Sequence, residues 1–341
     1  MASAIDDFEM AIQLEPNYTQ AYGYLGLSQA ATGNYTEALS QYDRALSLDP
    51  QYTPAHLYRG TAFIALGDFD KAITHLTLAI KNNKLYAEAY LNRGVAYYHL
   101  GNLSAALDDL DEAIYLNPDG SEAYYNRSYV LSAMGNHPEA LADINQVLTR
   151  QPNSIAAYMA RGTLYSAQGN HTAALADFNR VIELDTYASE AYRQRARVQL
   201  ANNNTLAAIE DYGSAISLSP QESGIYKGRA DAYAIYGNLP AAIADYTYAI
   251  ELDNTYMGAY AARGRALYEL GNAQVAYQDF SYIIRKDPTA SADIYYYRGL
   301  SLAAMGDSSG ALSDLQAAAD RYLTSGNANG YRAALSQMSE L

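Results

Sequence analysis

The chain contains no cysteine, which excludes disulfides, thiolate metal sites and a cysteine nucleophile. Nowhere do 18 apolar residues run together, so no segment reads as a membrane span. The amino terminus "MASAIDDFEM" has neither a basic region nor an apolar core and is not a signal peptide as it stands. Basic residues are scarce. Against 37 Asp and Glu there are 22 Lys and Arg, a net charge of -15, which argues against nucleic acid and anionic membrane surfaces as partners. The chemistry of catalysis is missing too: there is no Gly-rich phosphate loop, no GxSxG and no HExxH. The five histidines, His56, His75, His99, His137 and His171, are scattered, and two of them sharing a repeat position make a poor metal site without a third ligand. The run "DDLDEA" (108–113) reads as a solvated helix face rather than paired catalytic carboxylates. Neither an active site nor a cofactor or metal is expected.

What is present is a period. Arg59, Arg93, Arg127, Arg161, Arg195, Arg229 and Arg263 lie 34 residues apart, with Arg298 after 35. Ala4, Ala38, Ala72, Ala106, Ala140, Ala174, Ala208, Ala242 and Ala276 keep the same step, followed by Ala311. Repetition of this regularity decides the architecture before any other signal. Counting from Thr19, residues 19–290 form eight units of 34, and 291–324 form a ninth. In each, a first helix ends at glycine (Gly33, Gly67 and onward to Gly306) or at Asn203, residues that tolerate a left-handed stop. The next residue is always Asn or Asp, suited to cap a second helix. Proline closes many of the units, at Pro50, Pro118, Pro152, Pro220 and Pro288. No strand-like alternation persists, so the chain is read as all-α.

Residues 1–18 match only the second helix of a unit, so its partner helix is missing; the expectation is an excised piece or a face that docks on another chain, including a second copy. Residues 325–341 read as a capping helix with Tyr331, Leu335 and Met338 along one face.

A third series accompanies the arginines. Asp109, Asp143, Asp177, Asp211, Asp245 and Asp279 each follow an arginine by 16 residues, as Asp314 follows Arg298. In the first unit both charges are absent (Leu25, Gln41), and after Arg59 the acid's place holds His75. A charge matched in so many repeats reads as a structural ladder of ion pairs across a helix interface, in the arginine's own unit or the preceding one. The flanking tyrosines would stack on the guanidinium. An array of arginines reading an anionic ligand is the alternative.

A 34-residue period, an aromatic fourth residue, a small eighth, alanine in the twentieth, an aromatic or leucine in the twenty-fourth and a closing proline resemble the tetratricopeptide repeat, in the style of its bacterial members. The departures are arginine for the usual leucine in the seventh place, and Lys84, Thr186 and Asn254 where proline would close a unit. The resemblance implies a right-handed α-solenoid superhelix of antiparallel helix pairs. It also implies a non-enzymatic scaffold holding a partner protein or peptide in a groove lined by the first helices. Carried over place by place, the groove has Leu57, Ile64, Leu91, Asn92, Val95, Tyr98, Tyr125, Asn126 and Tyr129 early on. Arg193, Gln194, Arg197, Lys227, Asp231, Arg265 and Tyr268 follow later. An apolar-aromatic stretch giving way to a basic one suggests a peptide with an acidic segment. The terminal-carboxylate clamp of some cochaperone members is not expected: Asn92 and Asn126 resemble its asparagines, but its lysines and arginine are missing around them. A recruiting arm of a larger enzyme and a self-assembling module remain the other readings. The compartment stays open, with a soluble cytoplasmic location the first expectation and an upstream signal or anchor not excluded.

Overall fold

The computed structural model describes residues 2–341, with Met1 outside the described residues. The chain divides into two units, one running to Leu164 and the other from Tyr165. All elements among the described residues are helices, twenty in number.

The first unit holds α1 (Ala2–Leu14), α2 (Thr19–Ala30), α3 (Tyr35–Leu48), α4 (Thr53–Ala65), α5 (Phe69–Asn82), α6 (Ala87–His99), α7 (Leu103–Leu116), α8 (Ser121–Ala133) and α9 (His137–Arg150). It ends inside α10 (Ile155–Ala167). Each of α2, α4, α6 and α8 packs on the odd-numbered helix that follows it, as the first and second helices of a repeat. α1, the lone second helix, lies against α2, with Phe8 stacked on Tyr24 at 5.7 Å.

The second unit holds α11 (His171–Leu184), α12 (Ser189–Ala201), α13 (Thr205–Leu218), α14 (Ser223–Tyr236), α15 (Leu239–Leu252), α16 (Met257–Glu269), α17 (Ala273–Lys286), α18 (Ala292–Ala304), α19 (Ser308–Thr324) and α20 (Ala328–Ser339). The same pairing recurs in it, and α20 caps α19. The covered face of α20 differs from the one expected. Ala334 is enclosed and Tyr331 packs on the last core cluster, whereas Leu335 is exposed, one position around the helix from the contact.

The turn between paired helices follows from its two punctuating residues. Gly33 takes φ +83°, and its N–H reaches the carbonyl of Ala30 while that of Asn34 reaches Gln29, closing the helix end. Asn203 does the same work at φ +61°, the only non-glycine among the described residues with a positive φ. The following Asn or Asp sits at every N-cap. Asp68, Asn102, Asn170, Asn238 and Asp307 also accept a hydrogen bond from the backbone three residues on.

Small residues set the spacing of the pair. The periodic alanines from Ala38 to Ala311 are fully enclosed. Opposite them, a Cβ added to Gly60 would lie 2.5 Å from Leu76 Cγ, so only glycine lets α4 and α5 approach this closely.

Candidate interaction surface

The arginines occupy the space left between successive pairs. Arg93 donates from Nε and Nη2 to the two oxygens of Asp109, both at 2.7 Å. Arg127 binds Asp143, Arg195 Asp211, Arg229 Asp245, Arg263 Asp279 and Arg298 Asp314 in the same two-pronged way. The aspartates are buried and the arginines partly so. In Arg93, Arg195, Arg229, Arg263 and Arg298 the hydrogen bond to the aspartate raises the guanidinium pKa, outweighing the opposing effect of burial. The preceding tyrosine lies beneath the guanidinium at 5.5–5.9 Å, from Tyr90 under Arg93 to Tyr295 under Arg298. Arg161 rests on Tyr158 and donates to Asn145, and Asp177 is buried like its counterparts.

A second contact was not anticipated. The remaining guanidinium nitrogen, Nη1, reaches back to the residue 16 earlier: Arg93 to Thr77, Arg127 to Asp111, Arg195 to Asn179 and Arg263 to Thr247. Arg59, which has His75 in place of the acid, binds Asp43 in this backward direction at 2.6 Å. One guanidinium thus ties three consecutive helices. That place holds Asp, Asn or Thr, and Gly213 before Arg229, so no single residue type marks it in the sequence.

These arginines are engaged within the repeats, and the other residues carried over from the family's groove lie on the first helices. Two of them are not at the surface. Leu57 is fully enclosed, packed with Leu76 and Ala79, and Leu91 is buried against Ala113 and Ala123. Arg193 and Lys227, at the same place, are half-buried and paired with carboxylates of their own helices.

The surface that remains in the first unit is aromatic. Val95, Tyr98, Tyr125 and Tyr129 line a cavity of about 270 Å³ between α6 and α8, with Leu110 and Val130 at its base. Tyr125 and Tyr129 meet edge to face at 5.1 Å, and their hydroxyls are 2.8 Å apart. Burial, reinforced by that hydrogen bond, pushes the Tyr129 pKa up. Tyr129 also lines the next cavity, about 220 Å³, with Met159, Ala160 and Leu164.

In the second unit, Arg193 pairs with Glu190 at 2.6 Å and Lys227 with Asp231 at 2.7 Å. Asp231 also accepts from the Tyr246 hydroxyl. The stretch is therefore less basic than its sequence suggests. Arg197 and Arg265 are exposed, the latter over the Tyr297 ring at 5.1 Å. Arg265 lines a cavity of about 590 Å³ with Lys227, Asp231 and Glu269, floored by Gly258, Ala261 and Ala262. Among the described residues no three His, Asp or Glu side chains gather to hold a metal ion, and no helix is long and apolar enough to cross a membrane.

Comparison with known proteins returns one family. A family model described as tetratricopeptide repeat matches residues 57–121, 125–189 and 193–256, and another of the same description matches 19–52. No curated protein matches the chain. Among solved structures, a tetratricopeptide repeat protein from Parabacteroides merdae is similar with TM-score 0.58 and 23% identity, over 74% of this chain and 99% of that one. The C-terminal part of a repeat-containing protein from Cytophaga hutchinsonii has TM-score 0.54 and 17% identity, over 70% and 98%. Yeast Tom70 has TM-score 0.51 and 16% identity, over 98% and 91%. These likenesses are of fold. With the family's repeat matched over more than half of its length, and each unit built of the helix pairs that define it, the chain belongs to the tetratricopeptide repeat family.

Proposed function

We propose that the inner faces of the first helices bind an extended segment of a partner protein. Tetratricopeptide repeats form protein-interaction scaffolds and are typically non-catalytic. The observation that carries the finer reading is the pair of adjoining cavities that share Tyr129. Rigid tyrosines beside apolar walls offer much contact area at little entropic cost, the chemistry of interface hot spots. In the second unit, the exposed Arg197 and Arg265 suit an acidic stretch of a partner, while Arg193 and Lys227 are already matched by neighbouring carboxylates.

The test is selection of binding peptides from a random library on the intact chain, followed by affinity measurement on Tyr125→Ala/Tyr129→Ala. Losing two hot-spot rings should weaken the selected peptides by roughly tenfold or more. Unchanged affinity for every selected peptide would remove these rings from the binding surface.

A further inference from the structure

The first repeats carry a tyrosine series that the arginine ladder does not use. Tyr18, Tyr52 and Tyr86 stand immediately before α2, α4 and α6, and Tyr24 and Tyr58 lie on the helices they introduce. Farther along, the place of Tyr86 is taken by Gly120, Ser154, Ala188 and Glu222 before a single tyrosine returns at Tyr256, so only the first repeats carry it in succession. Its rings are held in place: Gly23 leaves room for Tyr52, whose Cε1 would be 2.9 Å from an added Cβ, and Tyr24 stacks on Phe8.

The hydroxyls are neither paired nor remote from one another. Those of Tyr24, Tyr52, Tyr58 and Tyr86 make no hydrogen bond among the described residues. Burial first, and then Tyr24, Tyr58 and Tyr18, push the Tyr52 pKa up to about 12. Burial, then Glu88, Tyr58, Tyr52 and Tyr24, bring Tyr86 to about 12 as well. At neutral pH these groups are fixed, protonated donors.

Beside Tyr86 opens a cavity of about 400 Å³, lined by Glu88, Glu122, Asn117 and Gln151 over Leu91 and Ala113. Its two carboxylates have no ion-pair partner among the described residues. Desolvation, then the charge of Glu122, raises the pKa of Glu88, which lines the cavity although the residue as a whole is exposed. The only Lys or Arg on α2, α4, α6 and α8 are Arg59, Arg93 and Arg127, each already bound to an aspartate. The face is aromatic, rich in donors and negative.

We propose that the face of α2, α4 and α6, together with the Glu88–Glu122 cavity, binds a proline-containing basic segment of a partner protein. This rests on the reading of the inner faces as a binding surface. A polyproline segment has no internal hydrogen bonds, so its carbonyls are free to accept from a row of tyrosine hydroxyls while its rings lie on the aromatic faces. A lysine or arginine in the segment enters the cavity and relieves the unpaired carboxylates, which fixes direction and register.

Fluorescein-labelled peptides of repeated Pro-Pro-Arg, Pro-Pro-Glu and Ala-Ala-Arg triplets, titrated by fluorescence anisotropy into the intact chain and into Glu88→Gln/Glu122→Gln and Tyr24→Ala/Tyr58→Ala, test it. Pro-Pro-Arg should bind tightest, and each double variant should weaken it roughly tenfold or more. Added salt should weaken binding to the wild type more than to the glutamine variant. Equal binding of Pro-Pro-Arg and Pro-Pro-Glu, or no effect of Glu88→Gln/Glu122→Gln, overturns the charge assignment. Ala-Ala-Arg binding as well as Pro-Pro-Arg overturns the proline assignment. If none of the three binds while library peptides bind and depend on Tyr125 and Tyr129, this proposal fails and the wider reading stands. If nothing binds at all, both fail.

Discussion

Replacing Arg127 with leucine, the residue the family usually carries at this place, measures what one rung of the ladder contributes. Its guanidinium holds the two oxygens of Asp143 at 2.8 and 2.7 Å, and the side chain of Asp143 is only 5% exposed against 23% for the arginine. Leucine would leave that carboxylate almost enclosed and without a donor, a situation that costs about 3–5 kcal/mol. The other contacts add little. Asp111, bound to the outer nitrogen, is largely exposed, and such a pair is worth about 0–1 kcal/mol. The ring contact with Tyr124 contributes on the order of 0.5–1 kcal/mol. Leucine recovers part of this by packing on the same ring, so Arg127→Leu should destabilise by about 3–4 kcal/mol. Removing both charges is a different perturbation. Arg127→Leu/Asp143→Leu strands nothing and should come within about 1 kcal/mol of the wild type. Guanidinium unfolding followed by far-UV circular dichroism gives the three values, with similar slopes required for the comparison. A wild-type midpoint for the single variant, or a double variant as unstable as the single, would refute the reasoning.

Three further outcomes follow from other contacts. Gly26→Ala places a Cβ 2.5 Å from the fully buried Tyr42 ring, which has Tyr58 at 6.0 Å on its other side, and should cost roughly 1–3 kcal/mol by thermal melting despite alanine's better helix propensity. Asn203→Gly relieves a left-handed backbone at φ +61° and should stabilise by up to about 1 kcal/mol in the same assay. Burial first, then the charges of Arg59 and His56, lower the His75 pKa from 6.5 to about 4. The unfolded chain therefore takes that proton first: the stabilisation is complete above about pH 6.5, declines as pH falls, and levels off near 4. In His75→Gln this component of the pH dependence should vanish; an unchanged difference between pH 7 and pH 5 would show that His75 titrates normally.

The fold was legible because its determinants are local and repeated. The turn at Gly33–Asn34 requires a left-handed residue and a cap, and both requirements appear as residue types at a fixed interval. Likewise the 16-residue step from Arg93 to Asp109 is the step that bridges α6 and α7 in the structure. The backward contact from Arg93 to Thr77 was not legible, because a short polar side chain of any kind serves there. Leu57 and Leu91 show the limit of transferring positions: the same place on the helix lies at the edge between core and surface, enclosed at Leu57 and Leu91 but half-buried at Tyr125, Met159 and Lys227. The acids that neutralise Arg193 and Lys227 are one helical turn away and could have been read from spacing. The Tyr52–Tyr86 series was visible as a period too, but its unpaired hydroxyls and the cavity beside Glu88 are three-dimensional facts.

Hydrogen exchange with and without a library-selected peptide tests the central claim, that partners bind along the inner faces of the first helices. Slowed exchange on peptide addition should concentrate in segments covering α4, α6 and α8, centred on Val95–Tyr98 and Tyr125–Tyr129, with α5, α7 and α9 unaffected. Protection confined to α5, α7 and α9, with α6 and α8 exchanging as in the free chain, would contradict the account.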